Sequence, residues 1–214
     1  MVSWIVSCCT HDNSSCCGDA GGVVTAERRP ALFLDRDGVI NVDHGYVHKI
    51  EDFEFVDGIF GLSRLAIRLG YRLIVVTNQA GIGRGYYDSA AFIHLTKWMA
   101  AEFLREHAPL TAVYFCPHHV EHGVGEYRQD CFWRKPSPGM IKCAASEHNL
   151  NLRHSVVVGD KSSDMLSAER GGVVRRVLLS KEPDPNVLGA VHKKTLAEVS
   201  QWLVFSHAGR FFTS

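Results

Sequence analysis

The sequence is short of several things, and each shortage closes off a class of function. No apolar run approaches the length of a membrane span, so no segment is expected to cross a bilayer. There is no excess charge of either sign: 23 Lys and Arg stand against 23 Asp and Glu. The chain therefore lacks the electrostatic footprint of a nucleic-acid or anionic-membrane binder. No Lys or Arg precedes Arg28, so the largely apolar residues 1–6 lack the basic flank of a secretory signal. There is no disulfide framework either. The seven cysteines are odd in number and irregularly spaced, at Cys8, Cys9, Cys16, Cys17, Cys116, Cys131 and Cys143. That usage suits reduced thiols and the cytoplasm. No internal repeat, no second domain and no insertion long enough for a separate cap over a site is visible.

What is present is 214 residues, 46% hydrophobic and 21% charged, enough for one soluble α/β domain with a sizeable core. Residues 1–30 read as a flexible N-terminal extension, because Ser, Cys, Gly and Asp dominate from Ser7 to Gly22 and neither a helical nor a strand period persists. Its paired cysteines could instead hold a metal. From residue 31 to 214 a single domain is expected.

That domain is organised around Ala31-Leu32-Phe33-Leu34-Asp35-Arg36-Asp37-Gly38. A short apolar run bounded by turn chemistry reads as a buried strand, and its carboxyl end is where open α/β sheets place ligands. Two carboxylates so close repel unless a cation lies between them, and a hard cation such as Mg²⁺ takes oxygen ligands. The polar, glycine-centred stretch that follows, with Asp43, His44, Gly45 and Tyr46, reads as a loop that overhangs these acids, or as ordinary surface.

Helices and strands then alternate. Residues 58–69 carry one apolar stripe, and residues 71–76 form a strand that empties into Thr77, Asn78, Gln79, Ala80 and Gly81. There a hydroxyl with adjacent backbone N–H groups could hold a phosphate, or the segment is a plain glycine loop. Asp88 can cap a helix to about Glu106. A strand at 111–115 precedes an insertion over 116–133. Ser137-Pro138 predicts a helix start with serine as the cap. Residues 155–158 form a strand ending in Gly159-Asp160-Lys161, residues 162–170 a short helix, residues 174–179 a fifth strand, and Thr195-Leu196-Ala197-Glu198 a capping box. The pattern predicts an α/β, Rossmann-like, doubly wound parallel sheet with five main strands.

The strand ends bring together Asp35, Asp37, Thr77, Asn78, Asp160, Lys161 and Asp164, with Arg134 and Lys135 just before the Ser137 turn. Three carboxylates, a hydroxyl and cationic side chains on one edge suit a phosphate monoester bound through Mg²⁺.

The motifs Asp35-x-Asp37-Gly-Val, Thr77-Asn78, Lys135 and Gly159-Asp160-x₃-Asp164 stand in the order of the haloacid dehalogenase (HAD) superfamily of phosphotransferases, which this chain resembles over about residues 31–180. Within it, Asp43-His44-Gly45-Tyr46, the glycine-rich stretch after Thr77, Cys116-Pro-His118-His119 and Arg134-Lys135-Pro136 are similar to the heptose-bisphosphate phosphatase branch. That branch serves heptose synthesis for bacterial surface sugars. The resemblance implies a HAD-like fold and a covalent aspartyl-phosphate route: Asp35 attacks phosphorus, Asp37 acts as acid and then base, and Thr77 and Lys135 bind the phosphoryl oxygens. Asp35, Asp160 and Asp37, the last through its backbone carbonyl, would hold Mg²⁺. Asp164 would orient its neighbours, or is simply an acid near a helix N-terminus. Substrate contact falls to Asp43, His44, Gly45, Tyr46, Thr77, Asn78, Gln79, Ala80, Arg134, Lys135 and Lys161, with Arg134 a bidentate partner for a second phosphate.

The same branch carries a structural zinc on a loop of pattern Cys-x-His…Cys-x-Cys. Cys116, His118 and Cys131 are in place, but the fourth position is Trp133, which cannot ligate zinc. Either His119, His122 or a water completes the shell, or packing by Phe132 and Trp133 replaces the metal. The expected partner is a small sugar phosphate acted on by a monomer, without nucleic acid or membrane. Histidinol phosphate remains an alternative substrate. A polynucleotide 3′-phosphatase lacks support in the balanced charge. A non-catalytic phosphosugar binder would have lost Asp35 or Asp37, and both are present.

Overall fold

The computed structural model describes residues 28–208, together with the backbone of residues 5–8. Its frame is one parallel sheet of seven strands: β1 (Ile5–Cys8), β2 (Ala31–Leu34), β3 (Arg72–Asn78), β4 (Ala112–Cys116), β5 (Val156–Gly159), β6 (Arg175–Leu179) and β7 (Val191–Lys193). Their spatial order is β1-β4-β3-β2-β5-β6-β7. The doubly wound parallel sheet is thus as expected. Two short edge strands join the five read from sequence.

One of them lies within residues 1–30, where no strand period was expected to persist. Ile5–Cys8 pairs in parallel with β4, from Ile5 opposite Ala112 to Cys8 opposite Phe115. A four-residue edge strand borrows its order from its neighbour and is too short to show a period of its own. The other residues before Arg28 lie outside the described residues, and with them the flexible extension and the paired cysteines.

The helices are α1 (Ile59–Arg68), α2 (Ala80–Gly83), α3 (Ser89–Arg105), α4 (Gly139–Glu147), α5 (Ser162–Gly171) and α6 (Leu196–Ala208). Alternation along the strands divides the core between the two faces of the sheet. Leu32, Leu34, Leu73, Val75, Val156 and Val158 face α1, α3 and α6, whose contributions include Leu62, Phe92, Phe103 and Leu203. Ala31, Phe33, Ile74, Val76, Tyr114 and Val157 face α4 and α5, which contribute Met140, Ile141, Met165 and Ala168. Burial of strands on both faces explains why β2 reads as an unbroken apolar run.

Asp88 caps α3 as anticipated, its Oδ1 accepting from the Ala91 N–H at 2.7 Å. Ser137 does not cap α4. That helix starts at Gly139 after an uncapped Pro138, because the Gly139 N–H is already committed to the Phe132 carbonyl at 3.0 Å and Ser137 lies in the preceding turn. Thr195 Oγ1 accepts from the Glu198 N–H at 3.2 Å, opening α6. Among the described residues no helix is long and apolar enough to cross a membrane.

The order of strands fixes the site. From β2 the chain runs outward through β3 to β4, then returns across β2 to β5. β2 is therefore the switch point, flanked in register by Val75 and Val158 on either side of Leu34. At such a point the loops diverge and leave a crevice beyond the strand ends.

Candidate active site

Asp35 is the first residue beyond β2, and its N–H continues the ladder onto the Val158 carbonyl at 3.0 Å. Asp160 follows β5 directly, and Thr77 and Asn78 close β3. The sheet thus delivers four of the expected residues, from three strand ends, to one floor. α5 adds Asp164 from its first turn.

Lys135 crosses beneath them. Its Nζ lies 2.9 Å from Asp35 Oδ1 and 2.5 Å from Asp164 Oδ1, and it donates to the Val76 carbonyl at 3.0 Å. Asp164 accepts from the Lys161 N–H through its other oxygen at 3.0 Å. Both readings of Asp164 therefore hold at once: it caps its own helix and it holds Lys135. All three side chains are buried, at 6% exposure for Asp35, 4% for Lys135 and 2% for Asp164.

Burial of so much charge is not fully offset. Burial pushes Asp35 up to about 7, with Lys135 pulling against it and Asp164 and Asp160 adding to the rise. Asp160 is pushed up to about 6, again by burial, against the pull of Lys161. Lys135 moves the other way. Burial lowers it, but Asp164 and Asp35 together hold it well above the ordinary lysine range.

The imbalance favours a cation among these carboxylates. Oxygens of Asp35, Asp160 and Asp164 lie within 4.8 Å of one another. Asp160 Oδ1 is buried with no hydrogen-bond partner. Gly38, at φ +88°, lies so close that a Cβ there would meet Asp160 Oδ2 at 2.4 Å. An all-oxygen donor set with an orphaned carboxylate oxygen fits a hard divalent ion. The carboxylate of Asp37 stands outside that cluster.

Asp37 is held instead by a collar of donors. Arg36 grips it with Nε at 3.2 Å from Oδ1 and Nη2 at 2.8 and 2.9 Å from the two oxygens. Asn41 donates to Oδ1 at 3.1 Å and Gln79 to Oδ2 at 3.0 Å. Gln79 also donates to Thr77 Oγ1 at 2.9 Å, and its own carbonyl accepts from Tyr87 Oη at 2.6 Å. The Tyr87 ring stacks on His48 with centroids 4.8 Å apart.

Sequence reasoning missed Arg36, Asn41, Tyr87 and His48. Gln79, expected at the substrate, has its amide engaged by Asp37, Thr77 and Tyr87. Asn78 likewise grips the backbone of Lys135, donating to its carbonyl and accepting from its N–H, both at 3.0 Å. A signal for Arg36 was available, since an arginine wedged between two acids at a buried strand exit has a carboxylate partner beside it. Nothing local in the sequence marked Tyr87.

Above the acids opens a cleft of about 440 Å³, whose walls include Asp43, Tyr46, Gln79, Ala80, Arg134 and Lys161. Lys161 Nζ bridges Asp43 Oδ2 at 3.1 Å and Asp160 Oδ2 at 3.6 Å, tying the overhanging loop to the floor. Asp43 Oδ1 accepts from the Gly45 N–H at 3.0 Å. Burial raises Asp43, but the Gly45 bond and Lys161 together bring it below the ordinary carboxylate range. Gly45 at φ +80° and Tyr46 at φ +54° reverse the chain here. Of the expected loop contacts His44 is the exception. Its ring points to Glu54 at 3.4 Å and lines a separate hollow of about 530 Å³.

Cys116, His118 and Cys131 do come together, with their ligand atoms within 4.8 Å of one another and all three buried. His119 and His122 stand outside that group. They lie against each other, and His119 Nδ1 accepts from the Glu121 and His122 N–H groups, each at 3.2 Å. Trp133 is buried at 3% exposure and packs on Tyr114, with ring centroids 5.8 Å apart. Three donors and an indole do not fill the four-ligand shell of a structural zinc.

Residues 132–182 match the HAD-hydrolase-like family. Over 151 residues the chain is 49% identical to the D-glycero-beta-D-manno-heptose-1,7-bisphosphate 7-phosphatase of Vibrio cholerae, covering 71% of this chain and 81% of that protein. It is 54% identical over 149 residues to the alpha-anomer counterpart of Burkholderia mallei, covering 70% and 79%. Among solved structures, a HAD-like phosphatase from Mesorhizobium loti is 32% identical with a TM-score of 0.75, covering 87% of this chain and 91% of that one. The D,D-heptose 1,7-bisphosphate phosphatase of B. bronchiseptica, complexed with magnesium and phosphate, shares the fold at 24% identity and a TM-score of 0.70, covering 83% and 99%.

Proposed function

The chain belongs to the D-glycero-D-manno-heptose 1,7-bisphosphate 7-phosphatases of the HAD-like hydrolases, and from that premise we propose that it removes the 7-phosphate of the heptose bisphosphate through an aspartyl-phosphate intermediate. The observation that carries this reading is the pairing of two acids in two environments. Asp35 sits buried on Lys135, while Asp37, two residues on, is collared at the wall of the substrate cleft.

Asp35 is the nucleophile. A carboxylate oxygen attacks phosphorus, a P–O bond forms, and the bond from phosphorus to the sugar oxygen breaks. Asp37 delivers a proton to that leaving oxygen, then takes one from the water that attacks the aspartyl phosphate and releases inorganic phosphate. Arg36, Asn41 and Gln79 keep its carboxylate oriented for both steps. Lys135 and Thr77 face the phosphoryl oxygens, with Asn78 fixing the Lys135 backbone. Asp35, Asp160 and the Asp37 carbonyl would hold Mg²⁺, which would supply positive charge for the transferring phosphoryl group. Asp164 positions Lys135 and touches no substrate. Asp43, Gly45, Tyr46, Ala80, Arg134 and Lys161 contact the sugar and its second phosphate. His44 is left out of that set.

The loop over 116–133 is read as held by Trp133 packing rather than by a fourfold zinc. The enzyme is read as a cytoplasmic monomer serving heptose precursors of bacterial surface sugars, in line with its cysteine usage and its relatives' substrate.

Phosphate release in Mg²⁺ tests the function. The two anomers of heptose 1,7-bisphosphate, fructose 1,6-bisphosphate and histidinol phosphate are compared side by side. A strong preference for one heptose anomer is expected. Comparable slow turnover of all four would leave the phosphatase chemistry standing and remove the heptose assignment.

A further inference from the structure

Beside Tyr46 of the cleft wall lies a cation that the proposed mechanism does not use. Arg84 is the residue that ends α2. Its guanidinium lies 5.8 Å over the ring of Tyr46, a cleft-lining residue that is 43% exposed. Its Nε is buried with no hydrogen-bond partner.

Arg84 and Arg134 belong to one junction. The carbonyl of Gly83 accepts from the Val124 N–H at 2.8 Å, and the Gln79 N–H donates to the Cys116 carbonyl at 2.7 Å. A Cβ at Gly83 would fall 2.4 Å from the Pro117 carbonyl, so α2 lies directly on the start of the 116–133 loop. From the far end of that loop Arg134 returns and donates through Nη1 to the His118 carbonyl at 2.8 Å. Arg134 is lowered chiefly by burial, and Arg84 contributes to the lowering as a like charge nearby.

Neither arginine has an acid to face. The acids of the cleft wall are already engaged, Asp37 by Arg36 and Asp43 by Lys161. Among the described residues neither Arg84 nor Arg134 pairs with a carboxylate. Two guanidinium groups that flank one junction, one over cleft-lining Tyr46 and one in the cleft wall, make a ready seat for a phosphate, which the arginine fork matches in shape and charge.

We propose that Arg84, braced on Tyr46, joins Arg134 in a two-arginine clamp for the second phosphate of the substrate, and that Arg84 sets the preference for a sugar bisphosphate over a sugar monophosphate. This rests on the reading of the chain as a sugar-bisphosphate phosphatase. It extends that reading by a specificity residue on a different element from the active-site motifs.

The test compares kcat/KM for heptose 1,7-bisphosphate and heptose 7-phosphate in the wild type, Arg84→Met and Arg84→Lys. Methionine keeps an apolar stem against Tyr46 and removes the charge. Lysine keeps the charge and removes the fork. The wild type is expected to prefer the bisphosphate. Arg84→Met should cut that preference by about tenfold or more, mainly through KM, with Arg84→Lys in between. Inhibition by a sugar 1-phosphate should weaken in the same order. A preference unchanged in Arg84→Met, or equal losses on both substrates, overturns the clamp and leaves the function intact. A wild type indifferent to the second phosphate overturns both.

Discussion

Two buried clusters in this protein both gather metal-ligating side chains, and they differ in what surrounds them. Under the cleft, Asp35, Asp160 and Asp164 draw together, the first and last on Lys135 and Asp160 near Lys161, and an oxygen of Asp160 is left without a partner. In the loop beyond β4, Cys116, His118 and Cys131 draw together, but the fourth corner is Trp133, buried against Tyr114. The first cluster gathers three carboxylates, and its unbalanced charge is relieved by a proton on Asp35 or by a cation among the oxygens. The second is a set of thiol and imidazole groups beside an indole that is packed in the core and offers no ligand. Donor residues alone do not define a metal site. What matters is whether the environment stays unsatisfied without the ion.

The sharpest way to break the comparison is to remove the nucleophile. Asp35→Asn should lower turnover by about 10⁴-fold or more while thermal unfolding stays cooperative. Normal turnover in that variant would remove the covalent route.

Next comes the lysine. Lys135→Met leaves Asp35 and Asp164 buried side by side, and stripping one partner from a buried charge network costs about 3–5 kcal/mol. Denaturant unfolding should show that loss at neutral pH. A variant as stable as the wild type would mean that the acids are not held by Lys135.

On the loop side, Trp133→Ala should cost about 3–5 kcal/mol, the usual range for emptying a core aromatic. Cys131→Ser should cost about 1 kcal/mol or less, a conservative change near the low end of point-mutant effects. The reverse ranking would assign the loop's cohesion to a metal.

A smaller effect concerns pH. In metal-free protein Asp35 titrates near 7 rather than at its ordinary 3.8, so the folded state keeps a proton that the unfolded chain loses. That contribution is complete below about pH 4 and disappears as the pH rises through 7. A cation replaces the proton, so the rise in melting temperature on adding Mg²⁺ should be larger at pH 8 than at pH 5.5. An equal rise at both would separate Mg²⁺ binding from Asp35.

The floor of the site was readable because its residues sit where strands end, and strand ends are local. Asp35, Thr77 and Asp160 needed only three apolar runs and the rule that ligands bind beyond them. The collar on Asp37 was not readable in the same way. Gln79 reaches back 42 residues in sequence to Asp37, and Tyr87 has no local mark that it will hold Gln79. Asn78 and Gln79 line the cleft as expected, but their bonds to Lys135, Asp37 and Tyr87 were not readable, because an amide in a loop does not name its partners. β1 and β7 escaped notice for a related reason. Edge strands of four and three residues take their order from a neighbour.

The most direct measurement takes zinc content and heptose 1,7-bisphosphate turnover on the same purified protein, with Mg²⁺ as the only added metal. Full turnover in Mg²⁺ with zinc far below one per chain is expected. Turnover that rises and falls with bound zinc would contradict it.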